Sequence, residues 1–422
     1  MRLLSHLLDR FIQKGTLHVI DAEGTTHTFA GMAEGPEVTL KLHDPKLYRE
    51  LFFNSELKTG EAYMDGRLTV ENGGTIHDFL FLFSINRYSL ESHPIQKVVI
   101  GISKILKRVH QWNPVQSAEQ NARHHYDISR ELYQLFLDDS MQYSCAYFAD
   151  PDNDTLEQAQ LAKKRHIAAK LQLKPGMTIA EIGSGWGSLA CYLAKIEDVK
   201  ITAVNVSPEQ IKASRERAEA EGVADRVRFE QMDYRNLRGE FDRIFSVGMF
   251  EHVGVPHFDE YFGKMKELLK PDGYMMLHAI GSMSPPSATS PFIRKYIFPG
   301  GYTPAMSEVY ASTERSGLWV SDAEYLRLHY YHTLRHWRER FTANREKAKA
   351  IYDERFCRMW EFYLSAAELS FLHGSNMVFQ ILLSKTRDAV PLVRDFITDD
   401  ERAIRSREAN DASGVVQLRR PN

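Results

Sequence analysis

The chain has 422 residues, which is enough for two or three domains with a cleft between them. Hydrophobic residues make up 43% and charged residues 26%, which excludes a globally disordered chain, a collagen-like rod and a coiled coil. The 53 Lys and Arg residues against 56 Asp and Glu residues give a net charge of −3. A basic excess that would indicate nucleic-acid binding is therefore absent, and we expect no nucleic-acid partner.

The N-terminal residues 2–12 have the apolar spacing of an amphipathic helix. Polar and charged residues interrupt the apolar run that a signal peptide would need. The longest strongly apolar patch, FLFLF at 79–83, is far too short to span a membrane.

The chain contains three cysteines, Cys145, Cys191 and Cys357. They form no C-x-x-C pair, which argues against a zinc knuckle and against a disulfide framework. A reduced, cytoplasmic protein is the simplest interpretation.

Residues 15–90 are predicted to form a small α+β unit. TLHVID and VTLKLHD have the features of short strands separated by turn residues. KLYRELFFN has helical spacing.

The segment from Ser92 to Ala118 contains no acidic residue, and its apolar residues recur at helical spacing. We predict an amphipathic basic helix here, followed by a linker at WNPVQ. Its basic residues are Lys97, Lys104, Lys107 and Arg108. Two explanations stay open, namely attachment to anionic lipid and a helix packed on its own domain with a solvated basic face.

From about residue 170 the pattern alternates between strands and helices. The strand candidates are MTIAEIG, KITAVNVS, VRFEQMD, FDRIFSVGMF and YMMLHAIG. Ser207 is the predicted N-cap of the helix that follows the second of them, with Pro208 at its first position. Five strands with intervening helices predict an α/β fold with a parallel, doubly wound sheet. Ligands of such sheets bind outside the carboxyl ends of the strands.

The remainder of the chain is predicted in three parts. Residues 285–305 are rich in Pro, Gly and Ser and indicate a structured loop or lid. Residues 340–390 are expected to be helical, including the apolar stretch MVFQILL. From Asp399 onward the chain is charged and weakly patterned, so a disordered tail is expected.

The strongest local motif is EIGSGWG at 181–187, which follows a strand and opens a helix. Gly183, Gly185 and Gly187 let the backbone turn sharply and approach a ligand closely. Ser188 occupies the third glycine position of the NAD pattern, so the G-x-G-x-G form favours a methyltransferase over an NAD or flavin enzyme. The ordinary structural alternative is a tight strand-to-helix turn without a ligand.

Asn205 ends the second strand, where nucleotide-binding sheets usually carry an acidic residue for the ribose hydroxyls. An amide can also bind hydroxyls, and Gln210 on the next helical turn can assist.

Several segments taken together resemble one family. MQYSCAYF, EIGSGWGS, AVNVSPEQ, FDRIFSVGMFEHVG, YMMLHAIG, FPGG and HYYHTLRHWRERF occur in the order found in cyclopropane-fatty-acyl-phospholipid synthases and the related mycolic acid cyclopropane synthases. GEAYMDG at 60–66 resembles the N-terminal domain of the branch that acts on phospholipids. The resemblance covers about residues 15–390.

The resemblance implies a class I methyltransferase fold with a smaller α+β N-terminal domain. It divides the chain into an N-terminal lipid-engaging domain with a linker (1–112), a catalytic domain (113–398) and a tail (399–422). It also implies S-adenosylmethionine as the cofactor. The residues that match positions binding this cofactor are Tyr143, Ser144, Gly183, Gly185, Asn205, Gln210, Asp233, Tyr234 and Gly248.

The same resemblance implies a bound bicarbonate at the site of methyl transfer. The matching residues are Cys145, Glu251, His278, Ile280 and Tyr330. The chemistry is consistent with this, because a double bond is a weak nucleophile that needs a cationic sulfonium as methyl donor. The resulting carbocation must be shielded from water, and a base must remove a proton before the ring closes.

Each site residue also has an ordinary explanation. Without the flanking motifs, Glu251 and His252 would be interpreted as a structural pair at a strand end. His278 would be interpreted as a buried core histidine. Cys145 lies among aromatic residues and is more typical of a small buried residue than of a nucleophile. His124 and His125 lack a third ligand by spacing, so no metal site is expected.

The chain departs from the family at Ala367, which stands where many members carry a cysteine after Y-L-x-A. We interpret the protein as an enzyme that transfers a methylene group to the cis double bond of a phospholipid acyl chain. Three alternatives are a methyl-branching enzyme that acts on the same olefin, a non-catalytic lipid-binding module, and a small-molecule O- or N-methyltransferase. The expected location is cytoplasmic and peripheral on the inner membrane face, with a phospholipid bilayer as partner and a homodimer as candidate assembly.

Overall fold

The computed structural model of the protein describes residues 1–87 and 128–412. The predicted basic helix at 92–118 and the His124–His125 pair lie outside these residues. Within them, no helix is both long enough and apolar enough to cross a membrane.

The N-terminal unit is built on a four-stranded sheet, which contains the two predicted strands TLHVID and VTLKLHD and two strands that were not predicted. Its spatial order is β2-β1-β3-β4, with β1 parallel to β3 and the other two pairs antiparallel. The strands are β1 (Lys14–Ile20), β2 (Thr26–Ala30), β3 (Ala33–Leu42) and β4 (Leu68–Val70). Four helices accompany them: α1 (Arg2–Phe11), α2 (Leu47–Phe53), α3 (Ser55–Met64) and α4 (Ile76–Ile85).

The second sheet has seven strands in the order β10-β11-β9-β8-β5-β6-β7. The five predicted strands are confirmed, and they pair in parallel from β7 to β9. They are β5 (Thr178–Ile182), β6 (Lys200–Asn205), β7 (Val227–Gln231), β8 (Phe241–Val247) and β9 (Leu269–Ser282). Two further strands, β10 (Trp319–Tyr325) and β11 (Asn376–Ser384), extend the edge next to β9.

Strand β11 corrects the prediction for residues 340–390, since its segment MVFQILL is not helical. It runs antiparallel between β9 and β10 and is buried from Met377 to Ser384. A strand buried on both faces is a continuous apolar run, which periodicity alone cannot distinguish from a buried helix. The sheet is therefore mixed rather than wholly parallel.

The helices around the large sheet follow the alternating pattern. Ser207 caps its helix as predicted, because its Oγ accepts a hydrogen bond from the Gln210 N–H at 3.3 Å and Pro208 is the first helical residue. The helices are α5 (Arg130–Gln134), α6 (Leu156–Leu171), α7 (Ser188–Ile196), α8 (Pro208–Ala220), α9 (Phe258–Leu268), α10 (Pro291–Tyr296), α11 (Met306–Ser316), α12 (His329–Ala343), α13 (Arg345–Ile351), α14 (Glu354–Leu372) and α15 (Asp395–Ala412).

Helix α15 corrects the expectation of disorder from Asp399 onward, at least as far as Ala412. Its few apolar residues, among them Ile397 and Ile404, are buried against the sheet domain. Glu401 forms a hydrogen bond with His166 on α6, so this charged residue of the helix has a partner in the folded chain. Composition alone could not show those partners.

The N-terminal unit shares one apolar cluster with the helices of the larger domain, mainly α12 and α14. Helices α3 and α4 pack against α14, and Tyr63 Oη donates a hydrogen bond to Glu361 at 3.1 Å. Helix α3 also binds α10, where Lys295 Nζ and Tyr296 Oη lie 2.6 and 3.0 Å from Glu61 Oε1. The two units are therefore joined by a continuous core and by polar contacts.

Candidate functional site

The G-x-G-x-G loop lies at the carboxyl ends of β5 and β6, where it borders a pocket of about 150 Å³. We call this the glycine pocket. All nine residues predicted to bind the cofactor line it: Tyr143, Ser144, Gly183, Gly185, Asn205, Gln210, Asp233, Tyr234 and Gly248. The structure brings them together, and their contact with a cofactor stays a prediction.

The glycines of this loop are required by backbone geometry. Gly183 and Gly185 have φ angles of +87° and +50°, a region that side chains with a Cβ rarely adopt. A Cβ on Gly183 would lie 2.8 Å from the Met249 Cβ, whereas a Cβ on Gly185 would meet no atom of the described residues within 4 Å. The space beside Gly185 is thus open and belongs to the pocket.

The polar residues at the ends of β6 and β7 are held by their neighbours. Asn205 Nδ2 donates to Gln210 Oε1 at 2.8 Å, and Asn205 Oδ1 accepts from the Ser207 N–H at 3.0 Å. Asp233 is buried and accepts from the Arg235 N–H at 2.9 Å. These contacts fix the side chains expected to meet a ribose and an adenine.

A larger cavity of about 600 Å³ adjoins the glycine pocket. It contains all five residues predicted at the site of methyl transfer: Cys145, Glu251, His278, Ile280 and Tyr330. Tyr143, Ser144, Gly248 and His252 border both spaces. A donor in the glycine pocket and an acceptor in the cavity would therefore meet at this shared wall.

Glu251 follows β8 and lines the cavity. Its Oε1 accepts a hydrogen bond from the Ile280 N–H at 2.6 Å. Its Oε2 is buried and has no hydrogen-bond partner among the described residues. Burial raises the pKa of Glu251 to about 7, against the smaller lowering effect of the Ile280 N–H. The carboxyl is thus suited to sharing a proton with an anion near neutral pH.

His278 lies in β9, where it is buried from solvent and lines the cavity. Burial lowers its pKa well below the usual value, and the charges of Lys163 and Lys170 act in the same direction. The imidazole is therefore neutral. Its Nδ1 lies 3.0 Å from Gln380 Nε2 on β11.

Aromatic side chains form the wall behind the reacting region. The Tyr143 ring stacks on Trp337 with a centroid distance of 5.0 Å, and its hydroxyl lies 2.9 Å from that of Tyr363. Tyr330 is buried with its ring 4.8 Å from Phe371. Such π faces can stabilise a developing cation and keep water out.

Cys145 is buried in the same wall, and burial raises the pKa of its thiol. The thiol is therefore neutral, which fits a space-filling contact better than a nucleophile. Ala367 also lines the cavity, so the position where relatives carry a cysteine faces the same space without a thiol.

The predicted site residues do not include two buried ionisable groups, Glu181 and Lys163. Glu181 is the penultimate residue of β5, just before the glycine loop, and burial raises its pKa well above the usual value. Lys163 on α6 donates to Ser144 Oγ at 2.7 Å, and burial lowers its pKa to about 7. An acidic residue within the apolar strand was a usable signal for Glu181. Nothing in the sequence distinguishes Lys163 from its neighbour Lys164, which is only partly buried.

The predicted loop or lid at 285–305 contains the short helix α10 and borders the cavity. Ser287, Thr289, Ile293 and Phe298 are among its lining residues. The N-terminal unit contributes Glu56 and Arg87 to the same lining. The cavity wall is thus formed by both units of the chain.

Comparison with known proteins agrees with this site. Residues 114–381 match the family model described as mycolic acid cyclopropane synthetase. The chain is 36% identical over 346 residues to the cyclopropane-fatty-acyl-phospholipid synthase of Escherichia coli K12, covering 82% of this chain and 87% of that protein. It is 35% identical over 368 residues to a probable fatty acid methyltransferase of Pseudomonas putida, covering 84% and 89% respectively.

Solved structures agree in fold as well. The cyclopropane synthase MmaA2 of Mycobacterium tuberculosis matches with a TM-score of 0.61 and 30% identity, over 65% of this chain and 99% of that one. The mycolic acid cyclopropane synthase CmaA1, complexed with SAH and CTAB, matches with a TM-score of 0.60 and 30% identity, over 64% and 99%. The predicted class I methyltransferase fold is confirmed.

Proposed function

Because the chain belongs to the mycolic acid cyclopropane synthetase family and is an S-adenosylmethionine-dependent enzyme, we propose that it cyclopropanates unsaturated phospholipids. The substrate is the cis double bond of an acyl chain. The observation that carries the proposal is the shared wall between the glycine pocket and the large cavity. The relative from Escherichia coli, which is named for the same reaction, matches 82% of this chain.

The proposed reaction uses this geometry directly. The methyl carbon leaves the sulfonium and bonds to one olefinic carbon, which places the positive charge on the other. Loss of a proton from the added methyl group then closes the three-membered ring. The walls formed by Tyr143, Tyr330 and Phe371 exclude water, which would otherwise add to the cation.

The residues around Glu251 fit a small oxyanion. Glu251 Oε2 is a buried oxygen without a partner among the described residues, and His278 and Tyr330 border the same cavity. A bicarbonate held there would supply the base for ring closure. Glu251 in its protonated form would donate to it, since two bare anions would repel each other.

A second candidate function is transfer of a methyl branch to the same double bond without ring closure. The relative from Pseudomonas putida, named a probable fatty acid methyltransferase, favours it. Both reactions share the methyl transfer and differ in which proton is lost. The residues of the cavity serve either outcome.

We expect the lipid products to distinguish the two. Incubation of the protein with S-adenosylmethionine and unsaturated phospholipid should yield acyl chains heavier by one methylene group, with a ring in place of the double bond. Mass spectrometry after derivatisation of double bonds measures this.

The rate of lipid modification in carbonate-depleted buffer should rise when bicarbonate is added. A methyl-branched product would establish the second candidate, and a rate indifferent to bicarbonate would refute the proposed base.

Peripheral attachment to the inner face of the cytoplasmic membrane is part of this proposal. A double bond lies several ångströms below the lipid headgroups, so the protein must dock on a bilayer to reach it. The sequence of the acid-free segment 92–118 predicts cations on an amphipathic helix, which would suit an anionic lipid surface. Assembly as a homodimer likewise stays a prediction.

Charge reversal in this segment tests the attachment. Each cation near an anionic surface contributes about 1 kcal/mol, so Lys104→Glu with Lys107→Glu should lower affinity for anionic vesicles by more than about tenfold at low salt. Vesicle sedimentation measures the affinity. The matched control reverses the exposed Lys200 and Lys212, which should leave it unchanged. Equal sedimentation of the variant and the wild type would assign docking to residues 2–12 or to the loop 285–305.

A further inference from the structure

Three polar residues form a row across the edge of the large sheet. Glu324 on β10 pairs directly with Gln380 on β11, and Gln380 pairs directly with His278 on β9. Directly opposite residues project from the same face of a sheet, so the three side chains are neighbours. His278 borders the large cavity, while Gln380 is completely buried behind it.

Helix α6 packs over this row, and its Lys170 contacts two of the three side chains. Lys170 Nζ lies 2.8 Å from Gln380 Oε1 and 2.5 Å from Glu324 Oε2. His166, one turn earlier, lies 2.7 Å from the same Glu324 oxygen. Lys170 and Gln380 are wholly buried, so the arrangement is held rigidly by packing as well as by charge.

The lysine decides which way the Gln380 amide points. An ammonium group can only donate hydrogen bonds, so the Gln380 atom that faces it must be the oxygen. The amide nitrogen then faces His278 Nδ1 at 3.0 Å. Because this nitrogen can only donate, Nδ1 must accept and cannot carry the proton. In the neutral ring the proton is therefore on Nε2.

We propose that Gln380 is a positioning residue, which holds His278 in the Nε2–H tautomer so that the ring presents a hydrogen-bond donor to the anion in the cavity. The opposite tautomer would direct a lone pair at that anion and repel it. This inference rests on the proposed function, since it requires an anion beside His278. It assigns a role to a strand that carries none of the family motifs.

The variant Gln380→Glu reverses the polarity of the contact with almost no change in shape. Its carboxylate accepts from Lys170 with one oxygen and from His278 Nδ1–H with the other, so the proton moves from Nε2 to Nδ1. Nitrogen-15 NMR of histidine-labelled protein, with the His278 signals identified by loss in His278→Asn, reads the tautomer directly. We expect Nε2–H in the wild type and Nδ1–H in Gln380→Glu.

Activity supplies the second readout. Turnover of Gln380→Glu on phospholipid vesicles should fall by about 100-fold or more, with the apparent affinity for bicarbonate reduced and the affinity for S-adenosylmethionine unchanged by calorimetry. Gln231→Glu, the same substitution at an exposed position of β7, is the control for added charge.

An Nδ1–H wild type, or an unchanged tautomer in Gln380→Glu, would overturn the inference. Altered tautomer with unimpaired turnover would refute its catalytic importance. The NMR result does not depend on which lipid reaction is catalysed, so failure of the proposed function and failure of this inference are distinguishable.

Discussion

Replacing Glu251 by Gln should reduce turnover by about 10² to 10⁴-fold, the range typical of losing a group that moves a proton. Gln keeps the size of the side chain and can still accept from the Ile280 N–H, now 2.6 Å from Oε1. The amide nitrogen that replaces Oε2 donates permanently and cannot release or regain a proton. Steady-state rates on phospholipid vesicles measure the loss, and affinity for S-adenosylmethionine by calorimetry should change little.

At alkaline pH the same variant should be more stable than the wild type, although its turnover is lower. Burial raises the pKa of Glu251 to about 7 in the folded protein, from 4.5 for a free glutamate side chain, so the fold favours the uncharged form. That stabilisation is complete below pH 4.5 and is lost as pH rises through 7. Gln is uncharged throughout, so Glu251→Gln should melt at a higher temperature than the wild type at pH 8 and close to it at pH 4.5.

Glu219→Gln, an exposed substitution on α8, is the matched control and should alter neither property. If Glu251→Gln turned over as fast as the wild type, Glu251 would have no role in the reaction. A melting temperature below that of the wild type at pH 8 would show that the carboxyl is ionised and paired in the fold.

Replacing Gly185 by Val should abolish S-adenosylmethionine binding while leaving the protein folded. Among residues 1–87 and 128–412, no atom lies within 4 Å of the added Cβ, so the branched side chain occupies the glycine pocket rather than the core. We expect affinity to fall by at least about 100-fold, equivalent to about 2.7 kcal/mol. Calorimetric titration with S-adenosylmethionine measures it.

The positive φ of Gly185 also strains any residue with a Cβ, and this part of the effect needs its own control. Gly222 has a φ of +70°, and in the part of the chain that the structure describes no atom lies within 4 Å of a Cβ added there. It does not border the glycine pocket. Gly222→Val should therefore lose similar stability and keep full affinity. Equal loss of affinity in both variants would attribute the effect to strain and would contradict the placement of the cofactor.

The predictable part of the molecule is the part in which neighbouring residues determine structure. EIGSGWG carries its own geometry, because positive φ angles demand glycine and the glycines mark the turn. The strands β5 to β9 alternate with amphipathic helices, so their type and order follow from periodicity. The candidate site residues at the ends of these strands were identified through the family resemblance, and the structure places them around two adjoining spaces.

The unpredicted part depends on partners distant in sequence. Gln380 acquires its role only because β11 pairs with β9, 102 residues away, and MVFQILL gives no sign of that pairing. Glu401 becomes ordered through His166, and Lys163 becomes buried through the loop that contains Ser144. No local pattern encodes contacts of this kind.

The hydrogen bonds from Lys295 and Tyr296 to Glu61 tie helix α3 of the N-terminal unit to helix α10, whose loop borders the cavity. Gly60 already leaves no room for a side chain, since a Cβ there would lie 2.4 Å from the Phe292 ring. A random mutagenesis screen for lost catalysis would therefore recover substitutions in α3 alongside those at Glu251. Distance in sequence from the residues at the reacting atoms would then be a poor guide to which substitutions abolish catalysis.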